Sequence, residues 1–219
     1  QLYDRRPFFL APDLSPVFLS NAGLDPQRAL SWEAGARSPL GTAAWTEIAL
    51  YRMEVGDEIG FDLARLRFAN IDRSLHQGIE WGLAAEAGPL RPRLAYTLTE
   101  ATFEGGAHDG RRINGIPRHQ IAAGLGWEAR ALTGEVEARH VRGQFADEDN
   151  RFPLDPYTLL NAAVDWKLSR FSLGLTVRNL LGADFETSGF VTLDETGAPL
   201  PLYYPGAERA VVGRLSLEL

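Results

Sequence analysis

Arg111 and Arg112 stand side by side in the polar stretch GGAHDGRRINGIP, close after His108, and Tyr203 and Tyr204 are neighbours in PLPLYYPG. Guanidinium groups hold anions through forked N–H donors, and tyrosine offers a flat apolar face with a polar tip. His108, Arg111, Arg112, Tyr203 and Tyr204 are therefore candidate ligand-binding loop residues for an anionic, aromatic ligand; the plainer reading is that they pack on one another as ordinary loop residues. The run Asp147, Glu148, Asp149, Asn150 carries oxygen ligands but lacks the glycine and the spaced glutamate of an EF-hand loop. A solvated acidic loop is expected there. The four histidines, His76, His108, His119 and His140, are scattered without HExxH or paired spacing, so no metal site is expected. No GxSxG, P-loop or dinucleotide fingerprint occurs. The carboxylates Glu80, Glu86, Glu128, Glu135, Glu137 and Asp165 are expected to face a polar interior, or to hydrogen-bond to Arg93, Arg139 and Lys167 on neighbouring strands, rather than to act as acid/base pairs. No catalytic residue, cofactor or metal follows from these residues, and the chain is not read as an enzyme.

The elements that must carry these residues are strands. Phe171, Leu173, Leu175 and Val177 alternate with Ser172, Gly174, Thr176 and Arg178, a period of two with one wet face. Val211 to Leu219, Ile121 to Trp127, Leu160 to Leu168 and Ile79 to Ala85 repeat the scheme, and helical spacing fits none of them as well. The pattern predicts about nine strands, near 28–37, 43–55, 69–87, 92–105, 118–129, 131–145, 156–168, 170–180 and 207–219. Soluble strands run to about five or six residues, whereas a strand tilted across a bilayer needs roughly 9–11. The connections alternate as well: SPLGT, AGPLRP and the steps at Arg130 and Ser169 are short, while the links after Val55 and at 105–117, 144–155 and 181–206 are long and polar. That alternation puts the tight turns at one end and the large loops at the other, as in an up-and-down membrane barrel. Trp32, Trp81, Trp127, Trp166, Tyr96 and Phe171 fall toward strand ends, where aromatics mark bilayer interfaces, although a sandwich core would use the same residues. Glycines inside the strands suit a tightly curved wall.

Composition bounds the remaining classes. The 219 residues, 45% hydrophobic and 23% charged, would also suit a soluble protein, so pattern rather than bulk hydrophobicity decides. A net charge of -7 leaves no basic stripe for nucleic acid. The absence of cysteine removes disulfides and thiolate sites. No apolar run is long enough for a transmembrane helix. The opening QLYDRRPFFLAPDL has neither the apolar core nor the cleavage site of a signal peptide, as expected of a cytoplasmic protein or of a mature or truncated product.

Taken in order, the segments resemble the C-terminal part of the barrel of a TonB-dependent outer-membrane receptor. DPQRALSWEAGAR is similar to the family's Pro-Glu-x-Ser-x-x-Tyr-Glu-x-Gly strand, and ALYRMEVGDEIGF to the hairpin tip after it. NIDRSLHQGIEWGL resembles a later strand with Gly-hydrophobic-Glu, YTLTEATFEG the Tyr-x-x-Thr-x-Ala-x-Phe strand, and GIPRHQIAAGLGWE its Val-Pro-Arg-His return. YTLLNAAVDWKL with FSLGLTVRNLLGADFETSG resembles the penultimate strands that end Asn-Leu-Phe-Asp, and YPGAERAVVGRLSLEL the last one. Two departures stand out: the sequence ends in Leu219 where the family has an aromatic residue, and the plug domain and first strands are expected to lie outside these 219 residues.

The resemblance implies an all-β, antiparallel up-and-down transmembrane β-barrel, of which this chain holds roughly the last nine or ten of about 22 strands. It implies active uptake of a ferric siderophore or a similar scarce nutrient, with this chain supplying barrel wall and extracellular ligand loops. The implied partners are outer-membrane lipid, the missing plug and N-terminal strands, the ligand, and the TonB complex indirectly through the plug. The implied place is the outer membrane of a Gram-negative bacterium. A self-closed small passive pore and a soluble β-sandwich binding module are the alternatives from other classes.

Overall fold

The structure, a computed structural model, describes residues 8–10, 16–18, 23–62, 67–70 and 73–217. Its strands in chain order are β1 (Phe8–Leu10), β2 (Pro16–Phe18), β3 (Arg28–Pro39), β4 (Ala44–Gly56), β5 (Ile59–Asp62), β6 (Arg67–Asn70), β7 (Arg73–Ala85) and β8 (Leu90–Glu104). There follow β9 (His119–Ala129), β10 (Leu132–Arg142), β11 (Tyr157–Leu168), β12 (Phe171–Arg178), β13 (Glu186–Leu193), β14 (Pro199–Pro205) and β15 (Ala210–Leu217). Nine of these form one antiparallel sheet in the order β15-β12-β11-β10-β9-β8-β7-β4-β3. The order matches the chain because each strand can pair with its neighbour through a hairpin.

All nine strands expected from alternation are present. The third begins at Arg73 rather than near residue 69, and Glu218 and Leu219 lie outside the described residues. A residue with positive φ stands in each tight turn: Gly41, Gly88, Arg130 and Ser169. Such a residue matches the chain reversal to the twist of the flanking strands. The long connections are less plain than their composition suggests, because two of them hold their own hairpins, β5–β6 and β13–β14. On β13–β14 the Asp194 N–H donates to the Ala198 carbonyl. That pairing sets Pro199, Pro201 and Pro205 at positions whose missing N–H would point away from β13, so the outer edge of β14 offers few donors to a further strand.

Register carries one face unbroken across the wall. Cross-strand partners place Ile48, Trp81, Tyr96 and Ile121 in one row, and Val136, Ala162, Val177 and Val211 in another. The same side holds Leu94, Leu125, Trp166, Leu173, Leu175 and Leu215, and Leu173, Leu175 and Leu215 are exposed. So much apolar surface left open on one side of a sheet requires a hydrocarbon solvent or a second layer. Among the described residues there is no second layer of strands packed on this face. A sandwich core is thereby set aside. Trp127, Trp166 and Phe171 lie at the tight-turn end and Trp32 toward the other, but Trp81 and Tyr96 face each other farther inside the band, not at its rim. Among the described residues β3 and β15 each have a single neighbour, so the wall is an open arc.

Candidate functional site

The opposite face is polar, and its side chains reach across strands rather than along them. Tyr51 on β4 lies over Gly78 of β7 and bonds Thr99 Oγ1 of β8 at 2.9 Å. Arg93 on β8 lies over Gly124 of β9 and donates to Glu137 of β10 at 2.9 Å and also to Glu135. Asp165 on β11 reaches Arg214 of β15 over Gly174 of β12. In each bridge the middle strand presents a glycine, because a Cβ there would fall within 2.9 Å of the crossing side chain. The glycines thus serve these crossings as well as wall curvature. Pairing of carboxylates with an adjacent strand holds for Glu128, which takes Arg91 of β8 at 3.0 Å, but is corrected for Arg93, which serves acids two strands away. Asp165 takes Arg214, and Arg139 donates to Gln120 at 2.5 Å.

Charge is unevenly balanced around this face. Glu33, Glu47 and Glu80, on β3, β4 and β7, have no hydrogen-bond or ion-pair partner among the described residues. Arg37, directly opposite Glu47, turns instead over the Trp45 ring at 5.3 Å. The floor beside them is recessed because Ala49, Gly82, Ala95 and Ala122 are small. Glu86 belongs to the tight turn, its N–H donating to the Ala43 carbonyl, and takes no part in these bridges.

At the long-loop end, residues 105–118 and 143–156 are joined into one body. Arg111 and Arg112 fold back on β8, where the Phe103 N–H donates to the Arg111 carbonyl at 2.9 Å and Thr102 bridges Arg112. Asn150, with φ of 57°, receives the Arg112 N–H at 2.8 Å and returns its amide to the Arg112 carbonyl at 2.8 Å. Its side chain thereby imitates a paired strand. Gln144 donates to the Gly115 carbonyl at 3.0 Å.

The acidic run is not a freely solvated loop. Asp147 accepts the N–H groups of Arg151 and Phe152, His108 lies between Glu148 at 3.2 Å and Asp149 at 3.3 Å, and Arg111 donates to the Asp149 carbonyl. No group of three His, Cys, Asp or Glu residues that could hold a metal occurs among the described residues. Arg112 is covered by Glu100 at 3.7 Å and by the Phe145 ring at 5.7 Å. Burial pulls its guanidinium below the ordinary arginine value; Glu100 opposes the shift and Arg118 adds to it. Even so, arginine stays charged.

The structure therefore brings His108, Arg111 and Arg112 together, and turns them onto loop acids and carbonyls. Tyr203 and Tyr204 are consecutive on β14 and point to opposite faces. Tyr203 packs at Gly189, where Ala146 of the neighbouring loop also approaches. Tyr204 lies 5.9 Å from the Phe190 ring and is 55% exposed. Sequence reasoning missed Asn179, which is buried and ties the feet of the last loop by donating to the Ala183 and Ala207 carbonyls at 2.9 and 3.2 Å. The signal was the interruption of alternation at Asn-Leu-Leu-Gly.

Asn150→Ala is expected to cost about 1–3 kcal/mol locally, because it strands two backbone groups that the amide satisfies. Hydrogen exchange should accelerate at Arg112 while the wall strands keep their protection; unchanged exchange there would mean that the two loops are held by other contacts.

Comparison with known proteins agrees with this geometry. A family model described as TonB dependent receptor-like, beta-barrel, matches residues 5–180. The ferrioxamine B receptor of Salmonella typhimurium (strain SL1344) is 28% identical, aligning 88% of this chain with 28% of its own length. The ferric yersiniabactin uptake receptor FyuA from Yersinia pestis superposes with a TM-score of 0.72 at 15% identity, covering 96% of this chain and 32% of that one. The ferric citrate transporter FecA gives 0.70 at 20% identity, covering 88% and 31%. The copper transporter OprC gives 0.68 at 15% identity, covering 89% and 31%. The chain thus spans about a third of the length of the proteins it matches, and their shared fold accommodates differently named cargoes.

Proposed function

The chain belongs to the TonB-dependent receptor β-barrel family, and on that premise we propose that it forms the C-terminal wall and outer loops of a receptor for active uptake of a ferric siderophore. The observation that carries this reading is the face-segregated nine-stranded arc, with an unbroken apolar exterior and all tight turns at one end. An open arc in hydrocarbon leaves edge N–H and C=O groups unpaired at several kcal/mol each, so β3 and β15 need further strands as partners. The proposed organisation supplies them from the rest of the receptor in a Gram-negative outer membrane. The unpartnered Glu33, Glu47 and Glu80 favour a plug surface of positive charge against β3, β4 and β7. TonB would act on that plug, not on this wall.

Ligand contact is proposed for the aromatic hairpin β13–β14, where Tyr204, Phe190 and Leu202 remain exposed. His108, Arg111 and Arg112 are proposed to hold the neighbouring loops in shape beneath it. Titration of the intact receptor with ferrioxamine B, ferric citrate and a copper salt, followed by energised uptake in cells, tests the cargo class. One ferric complex should bind and be taken up, and Tyr204→Ala should weaken binding by about tenfold, the loss of roughly 1.4 kcal/mol of aromatic contact. A folded receptor that binds no ferric complex but takes up copper would overturn the siderophore assignment.

A further inference from the structure

We propose that the outer edge of β13 takes on an added strand from a partner protein, an extended segment that alternates apolar with polar residues and carries lysine or arginine at its ends. The proposal rests on the barrel reading, which sets the long loops outside the cell, and not on the cargo. β13 pairs with β14 alone among the described residues. Because the Asp194 N–H donates to the Ala198 carbonyl, Thr192 with Leu200 and Phe190 with Leu202 are the hydrogen-bonded pairs of the hairpin. Gly189, Val191 and Leu193 therefore turn their N–H and C=O groups the other way, as a row of open donors and acceptors. Leu193 is 66% exposed, and Ala146 approaches Gly189 where a Cβ would stand, on the sheet face rather than along this edge. The opposite edge is closed, because Pro199, Pro201 and Pro205 leave only the Tyr203 N–H directed outward along β14.

The hairpin is thus protected against pairing on one side and left open to it on the other. β13 leaves β12 and β14 returns to β15, so the further strands that β15 needs stand on the closed side. Charge decides what suits the open side. Asp184 and Glu186 flank one end of β13, and Asp194 and Glu195 the other. Asp184, Glu186 and Glu195 have no hydrogen-bond or ion-pair partner among the described residues. The Thr196 hydroxyl and the Ala198 and Thr196 N–H groups hold the Asp194 carboxyl below the usual carboxylate range, so it stays charged. A second copy of β13, laid in either direction, sets acidic end against acidic end, and like charges across strands are destabilising. A segment with basic ends reverses that sign. Main-chain hydrogen bonds to Gly189, Val191 and Leu193 would hold it, and its alternate side chains would lie beside the exposed Phe190.

Fluorescence anisotropy of the intact receptor in detergent tests this with three labelled peptides. They are Lys-Lys-Val-Thr-Val-Thr-Val-Lys-Lys, the same peptide with Glu for each Lys, and the Lys-ended peptide N-methylated throughout its centre. The unmodified Lys-ended peptide should bind about tenfold or more tightly than either of the others. Val191→Pro should weaken its binding about tenfold, because the substitution deletes an outward donor and leaves the β13–β14 ladder in place. Hydrogen-exchange protection at Phe190 and Leu202 reports that the hairpin still forms. If it does not, Glu186→Lys combined with Glu195→Lys replaces Val191→Pro and should reverse the preference between the Lys-ended and Glu-ended peptides. Equal binding of the three peptides, indifference to the folded variant, or a receptor dimer that Val191→Pro dissociates overturns the proposal. Absence of peptide binding with ferric uptake intact overturns it alone, whereas a receptor that fails to fractionate with outer membrane overturns the reading beneath it.

Discussion

Leu175→Arg lowers the stability of the intact barrel in lipid by about 2–4 kcal/mol, whereas Thr176→Arg, at the next residue, changes it by less than about 1 kcal/mol. Both lie in the middle of β12, where Leu175 pairs with Val164 and Gly213 on the apolar face and Thr176 with Ala163 and Val212 on the lumen side. A guanidinium at Leu175 enters hydrocarbon and must snorkel or drag water with it; at Thr176 it enters a polar interior already containing Arg178 and Glu137. Urea titration of folding into vesicles, followed by tryptophan fluorescence, reads the difference. Equal tolerance at the two positions would mean that lipid does not cover the apolar face.

Gly78→Val is expected to destabilise the wall by about 2–4 kcal/mol, combining overpacking with the loss of one part-buried hydrogen bond. A Cβ at this position overlaps the Leu98 carbonyl and comes within 2.6 Å of the Tyr51 hydroxyl, so main chain has to move. The Tyr51–Thr99 bridge then breaks. Gly213→Val, on the lipid face of β15, meets nothing within 4 Å among the described residues and should be tolerated. The comparison separates a requirement for space from a general preference for glycine in curved strands. Heat-modifiable migration of the two variants, expressed as intact receptors, measures it: folded Gly78→Val at wild-type yield would show that the crossing side chain can be rerouted at little cost.

The strands were legible because their signal is local. A period of two decides which residues share a face, so the run from Phe171 to Arg178 already separates lipid-facing from lumen-facing residues. Short and long links likewise reveal which strand ends lie together. The hairpin β13–β14 was hidden by its composition: apolar residues lie on both faces, and three prolines interrupt the usual β signature. The candidate loop residues were recognisable by type, yet their type did not say what they touch. Arg111 reaches Asp149 and His108 reaches Glu148 across nearly forty residues of chain, a pairing that depends on how two loops rise from β8, β9, β10 and β11.

By itself, then, the sequence determined the all-β class, the number of wall strands, the two-faced wall and the family resemblance, because alternation and turn chemistry act over a few residues. Tertiary structure alone decided that Arg93 passes over Gly124 to Glu137 and that Asn179 fastens the last loop. Those contacts depend on the register between strands and on sheet curvature. Both are summed over many residues, and no single stretch of chain records them.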